Sequence, residues 1–148
     1  MFCTMVAGLC ASLYGSNPVI QGYPSAYDGD TLYFESQSVR LYGIDAEEMD
    51  EPNGKAARDA LRLLLKNSKA VRCYPVGTYS HGRAVAHCYT SDNRSLNTSM
   101  VSMGKALDCP RYSNGEFSRF EPANSRQKLR QKSYCNLVKH GTVNHGQP

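Results

Sequence analysis

Three carboxylates and two guanidinium groups fall at spacings that could build a polar site. Asp28 and Asp30 lie in Tyr27-Asp28-Gly29-Asp30, and Asp45 ends the segment Val39-Arg40-Leu41-Tyr42-Gly43-Ile44-Asp45. Carboxylates gathered without thiolate or imidazole company suit a hard cation with oxygen ligands, Ca²⁺ or Mg²⁺. The same Asp28-Gly29-Asp30 run also makes a plain turn, because Asp and Gly dominate turns. Arg40 sits inside an apolar strand pattern and Arg83 follows Ser80-His81-Gly82. Aimed at the acidic end, such an arginine grips a carboxylate or a phosphate with two parallel bonds. Aimed at solvent, it is an ordinary strand-edge residue.

The elements around these residues decide whether they meet. Thr31-Leu32-Tyr33-Phe34 and Val39 to Ile44 read as the arms of a hairpin, with polar Glu35 to Ser38 between them. A loop centred on Ser36-Gln37 sets Asp30 near Gly43 and brings Asp45 out at the same open end. Asn53 then caps a helix over Gly54 to Lys66, whose apolar residues at 57, 60, 61, 64 and 65 form one stripe. Ala70 to Val76 and Arg83 to Tyr89 read as two more strands around a Gly-, Ser- and His-rich turn. Ser95 opens a second helix with Leu96, Met100 and Met103 on one face. Glu121 to Lys132 reads as a third helix with a basic face of Arg126, Lys128, Arg130 and Lys132. Strands first, helices between and after, describe an α+β chain: a small barrel or curled sheet with helices packed on it.

Composition agrees with one folded domain. The chain has 148 residues, 41% hydrophobic and 20% charged, which supports a core and excludes a disordered protein. No apolar run approaches the roughly 18 to 20 residues of a membrane-spanning helix. A net charge of +4 permits a polyanionic partner without requiring one. Residues 1–17 read as an uncharged apolar leader of signal-peptide type that lacks the usual basic start, residues 18–138 as the domain, and 139–148 as a polar tail. Without the leader four cysteines remain, Cys73, Cys88, Cys109 and Cys135, an even number that suits an oxidising compartment.

Four blocks in order carry a resemblance: Asp28-Gly29-Asp30-Thr31-Leu32, then Val39 through Ala46-Glu47-Glu48, then His81-Gly82-Arg83-Ala84-Val85-Ala86, then Ser95-Leu96-Asn97 through Met100-Val101 to Gly104. From about Tyr27 to Lys132 the chain resembles the staphylococcal-nuclease-like (thermonuclease) family. The resemblance implies a five-stranded OB-fold barrel with three helices, and Ca²⁺-dependent cleavage of phosphodiester bonds in DNA or RNA that leaves 3′-phosphates. Carried over by position, it makes Asp30, Asp45 and the Ala46 carbonyl metal ligands, with Asp28 and Glu47 beside them. Glu48 takes the general-base position, and Arg40 and Arg83 grip the phosphate. His81 and Tyr112 take nucleotide-contacting positions, Tyr112 being equally a plain surface tyrosine.

Two positions depart from the family pattern. Glu47 stands where Pro is usual, which frees the backbone before the base and adds a negative charge beside the metal. Through that charge Glu47 could tighten cation binding, compete for the base role, or retune the cation preference. His81 stands where Tyr is common before Gly-Arg. In the second hairpin, a Ser80-His81 loop makes paired residues sum to 161 and sets Cys73 opposite Cys88. Cys109 and Cys135 then remain to pair, in segments resembling exported bacterial members of the family, although four cysteines allow three pairings. With no close Cys-x₂-Cys pair, zinc is disfavoured. The expectation is an exported, monomeric, calcium-dependent nuclease acting on DNA or RNA; its rival is a nucleic-acid-binding OB-fold module without catalysis.

Overall fold

The computed structural model describes residues 17–136. The expected tail at 139–148 and all but the last residue of the expected leader lie outside that range. Eight strands occur among the described residues: β1 (Ile20–Gly22), β2 (Ser25–Ala26), β3 (Thr31–Tyr33), β4 (Ser38–Leu41), β5 (Ile44–Asp45), β6 (Val71–Ser80), β7 (Arg83–Thr90) and β8 (Leu107–Asp108). The helices are α1 (Gly54–Lys66), α2 (Leu96–Ser102) and two short ones, α3 (Pro110–Ser113) and α4 (Ser125–Lys128). The class is α+β, as expected, but the counts differ from five strands and three helices.

Six strands form one sheet in the order β1-β6-β7-β4-β3-β2, with β5 and β8 paired apart from it. All neighbours run antiparallel except β4 and β7, which lie parallel with Arg40 beside Val85. The first hairpin does not have the expected register. Thr31 pairs with Arg40 and Tyr33 with Ser38, so the loop centres on Glu35-Ser36 and Asp30 meets Leu41 rather than Gly43. A shift of two preserves which face each side chain takes, so Asp30 still points where the expected pairing would send it.

The expected second arm of that hairpin divides at Gly43. This glycine has φ +71°, and a Cβ there would stand 2.8 Å from the Phe117 ring and 2.9 Å from Ser113 Cβ. The bend turns Ile44 and Asp45 away from the main sheet and onto β8, which is what carries Asp45 toward the ion pairs described below.

Leu32, Val39, Leu41, Ile44, Leu61, Val71, Leu96, Met100, Val101 and Phe117 are buried in the core. Helix α1 contributes Ala57, Ala60 and Leu61, the centre of the expected stripe, and Leu64 and Leu65 are partly buried. In α2 the inner face is Leu96, Asn97, Met100 and Val101; Met103 caps the helix and is 41% exposed, against expectation. The Ser95 side chain accepts from Thr98 N at its start. Cys73 lies opposite Cys88 and is bonded to it, and Cys109 is bonded to Cys135. The loop that achieves the first pairing is His81-Gly82, not Ser80-His81, and an irregularity between Pro75 and Tyr79 restores the register at the cysteines.

The expected helix over Glu121–Lys132 reduces to the four residues of α4. Pro122 offers no N–H, Asn124 takes a left-handed φ of 65°, and Leu129 and Lys132 are extended. The N–H groups of Arg130 and Lys132 instead donate to carboxylates on the other side of the fold. A 3-10 turn at Ser133–Cys135 then ends at the disulfide.

Candidate active site

A cleft of about 730 Å³ opens between the bend after β4 and the tip of the β6–β7 hairpin, lined among others by Arg40, Glu48, Tyr79, His81, Arg83, Tyr112 and Tyr134. Its floor is charged. The Asp30 and Asp45 side chains are buried, and the Arg40 guanidinium lies between them. Arg40 Nη1 pairs with Asp30 Oδ1, Nη2 stands 3.7 Å from Asp45 Oδ1, and Nη2 donates to the Ile44 carbonyl at 3.2 Å. Burial lowers the Arg40 pKa from its ordinary value, against the opposing pull of the nearby carboxylate of Asp45. Two buried acids thus share one guanidinium.

The backbone holds the floor rigid. Asp28 Oδ1 accepts from Asp30 N at 3.0 Å, closing the expected Asp28-Gly29-Asp30 turn, and Asp30 Oδ2 accepts from Ala46 N at 2.8 Å. Ala46 is therefore joined to Asp30 through its N–H. Asp45 accepts from two further donors of the segment after α4: Lys132 N at 3.0 Å on Oδ2 and Tyr134 O–H at 2.9 Å on Oδ1. Burial, then the Asp45 charge, pushes the Tyr134 phenol up to about 12, so the group remains a donor through neutral pH.

Glu47 and Glu48 take opposite directions. Glu47 is buried and its carboxylate accepts from Asn53 N at 2.7 Å, Asn53 Nδ2 at 3.0 Å and Arg130 N at 2.8 Å. Burial raises its pKa, but these bonds outweigh the penalty and hold the carboxyl below its usual range. Its side chain braces the start of α1 against the segment after α4. Glu48 is exposed and lines the cleft. Its N–H donates to Glu51 Oε2 at 2.7 Å, and its carbonyl lies where a Cβ on Gly54 would stand, so only glycine lets α1 begin so close to this loop. Among the described residues no hydrogen bond or ion pair engages the Glu48 carboxylate.

The opposite wall is the β6–β7 hairpin. His81 and Gly82 both have positive φ, 52° and 77°, as a two-residue hairpin loop of this type requires. His81 is exposed, and its Nδ1 lies 3.3 Å from Ser80 Oγ. Arg83 donates to the Ser80 carbonyl at 3.1 Å and to Thr31 Oγ1 at 2.8 Å, and Thr31 Oγ1 lies 3.4 Å from Asp30 Oδ1. A polar path thus runs from Arg83 to the acidic floor. Tyr112 is 52% exposed at the cleft mouth, with its ring centroid 6.5 Å from that of Tyr134.

The structure brings Asp30, Arg40, Asp45, Glu48, Arg83, His81 and Tyr112 to one cleft or its floor, with Asp28 and Ala46 bonded to Asp30. Of the expected basic face, Arg126 is bound to Glu121 and Lys132 to Glu51. Four contributors were not singled out from sequence: Thr31, Lys132 through its N–H, Tyr134 and Asn97. Buried Asn97 accepts from Cys88 N and donates to the Tyr42 and Ala86 carbonyls, tying α2 to the bend. The signal for Tyr134 was its place beside Cys135.

The model of the family described as staphylococcal nuclease homologue matches residues 38–137, from the start of β4 past Cys135. The succinoglycan biosynthesis protein ExoI of Rhizobium meliloti (strain 1021) is 32% identical over 103 residues, covering 63% of this chain and 53% of that protein. The probable staphylococcal-like nuclease CAN2 of Oryza sativa subsp. japonica is 32% identical over 93 residues, covering 62% of this chain and 25% of that protein. This chain therefore spans about half of one relative and a quarter of the other. The matched residues include Arg40, Asp45, Glu48 and Arg83, and the chain belongs to the staphylococcal nuclease homologue family.

Proposed function

We propose that the chain is a calcium-dependent nuclease of low sequence specificity that hydrolyses phosphodiester bonds of DNA or RNA and leaves 3′-phosphate ends. The observation that carries this reading is the convergence of Arg40, Glu48 and Arg83 on one cleft whose floor is Asp30 and Asp45. The name of the rice relative, a probable staphylococcal-like nuclease, supports it.

Among the described residues there is no group of three His, Cys, Asp or Glu side chains arranged for a metal. The donor chemistry nevertheless fits a hard cation: two buried carboxylates with one counter-charge between them, beside the backbone of Ala46. Asp30, Asp45 and the Ala46 carbonyl would hold Ca²⁺, with Asp28 at the edge. Bound there, the ion supplies Lewis-acid polarisation of a phosphoryl oxygen.

The remaining chemistry belongs to the side chains. Arg83 and Arg40 approach the phosphate from the hairpin wall and the floor, and their fixed charge stabilises the added negative charge of the five-coordinate transition state. Glu48, exposed to the cleft, accepts the proton of the attacking water. Glu47, held by three hydrogen bonds, leaves that role to its neighbour. His81 and Tyr112 sit where the nucleotide would lie, Tyr112 offering a ring for base stacking. The two disulfides suit export to an oxidising compartment.

The test is hydrolysis of single-stranded DNA with Ca²⁺, Mg²⁺ or EDTA, beside a Glu48→Gln variant. Cutting that needs Ca²⁺, stops with EDTA and falls roughly 10²-fold or more in the variant is expected. Undiminished cutting by the variant would remove Glu48 from the base role. DNA binding without cutting under any cation would make the chain a binding module.

A further inference from the structure

The segment after α4 crosses the acidic loop like a strap. Lys128 O accepts from Asn53 Nδ2, Arg130 N donates to Glu47, Lys132 Nζ pairs with Glu51 at 2.9 Å, and Lys132 N and Tyr134 O–H both donate to Asp45. One residue later Cys135 bonds to Cys109, at the start of α3. The strap is therefore anchored covalently within one residue of its contact with Asp45.

The bonds on Asp45 are divided between its oxygens. Oδ1 receives the Tyr134 hydroxyl and Oδ2 the Lys132 N–H. An ionised carboxylate has about four lone-pair sites, so these two bonds do not exhaust it, although Oδ1 also faces Arg40 Nη2 at 3.7 Å. Two donors on two different oxygens fix both the position and the rotation of the carboxyl plane, which a single bond cannot do. Asp30 is fixed in the same way, by Ala46 N on Oδ2 and Arg40 on Oδ1. The difference is that the donors to Asp45 come from 87 and 89 residues away in sequence.

We infer that Tyr134, with the Lys132 N–H, is a positioning residue for the cation: the strap anchored at Cys135 orients Asp45 for metal binding. The inference rests on the calcium-dependent reading above. Partners that orient a metal-ligating carboxylate typically carry about 10- to 100-fold in metal affinity. Tyr134 also borders the cleft, so a role in gripping nucleic acid is the competing explanation, and the two differ in what they move.

The deciding experiment is isothermal titration of the full, disulfide-intact chain with CaCl₂, for the wild type, Tyr134→Phe and Lys132→Pro. Phe keeps the ring and removes only the hydroxyl. Lys132 has φ −68°, a value proline adopts, so Lys132→Pro deletes the other donor without demanding a new φ at that residue, and removes the Lys132–Glu51 ion pair with it. Expected are a loss of Ca²⁺ affinity of about 10-fold or more in Tyr134→Phe, an unchanged far-UV circular dichroism spectrum, and a KM for single-stranded DNA at saturating Ca²⁺ within about twofold of wild type. Should Tyr134→Phe lose its fold, Lys132→Pro is compared with Lys132→Ala, which also removes the Glu51 ion pair but keeps the N–H on Asp45. Wild-type affinity in folded Tyr134→Phe or Lys132→Pro, or tighter binding, overturns the inference and leaves the calcium reading standing. A raised KM with unchanged Ca²⁺ affinity also overturns it, in favour of nucleic-acid contact. A wild type that binds no Ca²⁺ overturns both.

Discussion

The two walls of the cleft are built on opposite terms. The acidic wall holds Asp30, Asp45 and Glu47 buried and stitched to other segments: Asp30 to Ala46, Asp45 to the strap, Glu47 to both α1 and the strap. The hairpin wall, from Tyr79 to Arg83, is bonded mostly to itself, with Arg83 and His81 both meeting Ser80. Its long-range side-chain hydrogen bond among the described residues is Arg83 to Thr31. One wall has its charges fixed before any ligand arrives, as electrostatic preorganisation demands. The other presents exposed, locally held groups that can adjust to a substrate. Adjacent glutamates repeat the contrast inside the acidic wall, Glu47 buried as a brace and Glu48 free in the cleft.

The strongest way to break this comparison is to exchange the fates of the two arginines. Arg40→Ala leaves two buried carboxylates facing each other without their counter-charge. Removing one partner of a buried ion pair costs about 3–5 kcal/mol, so urea unfolding should show a loss of that order. Ca²⁺ should return part of it, about 2.7 kcal/mol at 100 times its Kd, by binding the folded state alone. Arg83→Ala removes hydrogen bonds at a half-open position and should cost about 1 kcal/mol, while lowering the rate of DNA cleavage roughly 10²- to 10³-fold. Equal stability losses in the two variants would abolish the distinction between the walls.

Glu47 sharpens it. In Glu47→Ala the Asn53 and Arg130 N–H groups lose their acceptor, with an expected loss of about 1–3 kcal/mol, read by thermal or urea unfolding. The pH dependence has a definite sign. Its folded pKa lies below the ordinary carboxylate value, so its contribution is complete above the unfolded pKa and disappears as pH falls through the folded one. Acid unfolding followed from neutral pH downward should therefore show a shallower loss of stability in Glu47→Gln than in wild type. An identical slope would mean that the glutamate is solvated and braces nothing.

What could be read from sequence, and what could not, follows the range of the interactions. The α1 stripe and the first hairpin were legible because period and hairpin parity are local rules; the Cys73–Cys88 pairing was reached from a misplaced loop and holds because the irregularity between Pro75 and Tyr79 restores the register. The register of both hairpins was missed, since loop placement depends on one or two residues of turn geometry. Arg83 and His81 are expected at the site through the family resemblance, not from the hairpin pattern, and both line the cleft. The strap was not legible at all. Arg126, Lys128, Arg130 and Lys132 read as a charged helix face although a spacing of two is the strand period, and nothing near them reveals that the N–H groups of Arg130 and Lys132 are taken by carboxylates more than 80 residues earlier. Glu47 shows the same limit. Its type implied added charge at the metal, whereas its position inside the fold makes it an acceptor for two backbone segments.

The smallest effect belongs to His81, where the two demands on the hairpin wall meet. Its φ of 52° is a region that favours Gly or Asn over an imidazole-bearing side chain. Asn tolerates the left-handed conformation better, so His81→Asn should raise the thermal unfolding midpoint slightly, by an amount equivalent to about 0.5 kcal/mol. The side chain is exposed and its hydrogen-bond partner is the neighbouring Ser80, so the substitution removes little else. If the hairpin wall adapts to substrate while the acidic wall holds charge, the same substitution should raise KM for DNA and leave Ca²⁺ affinity alone. A His81→Asn variant that weakened Ca²⁺ binding would show that the tip of the hairpin reaches the acidic floor through Arg83 and Thr31, and that the two walls are one coupled unit.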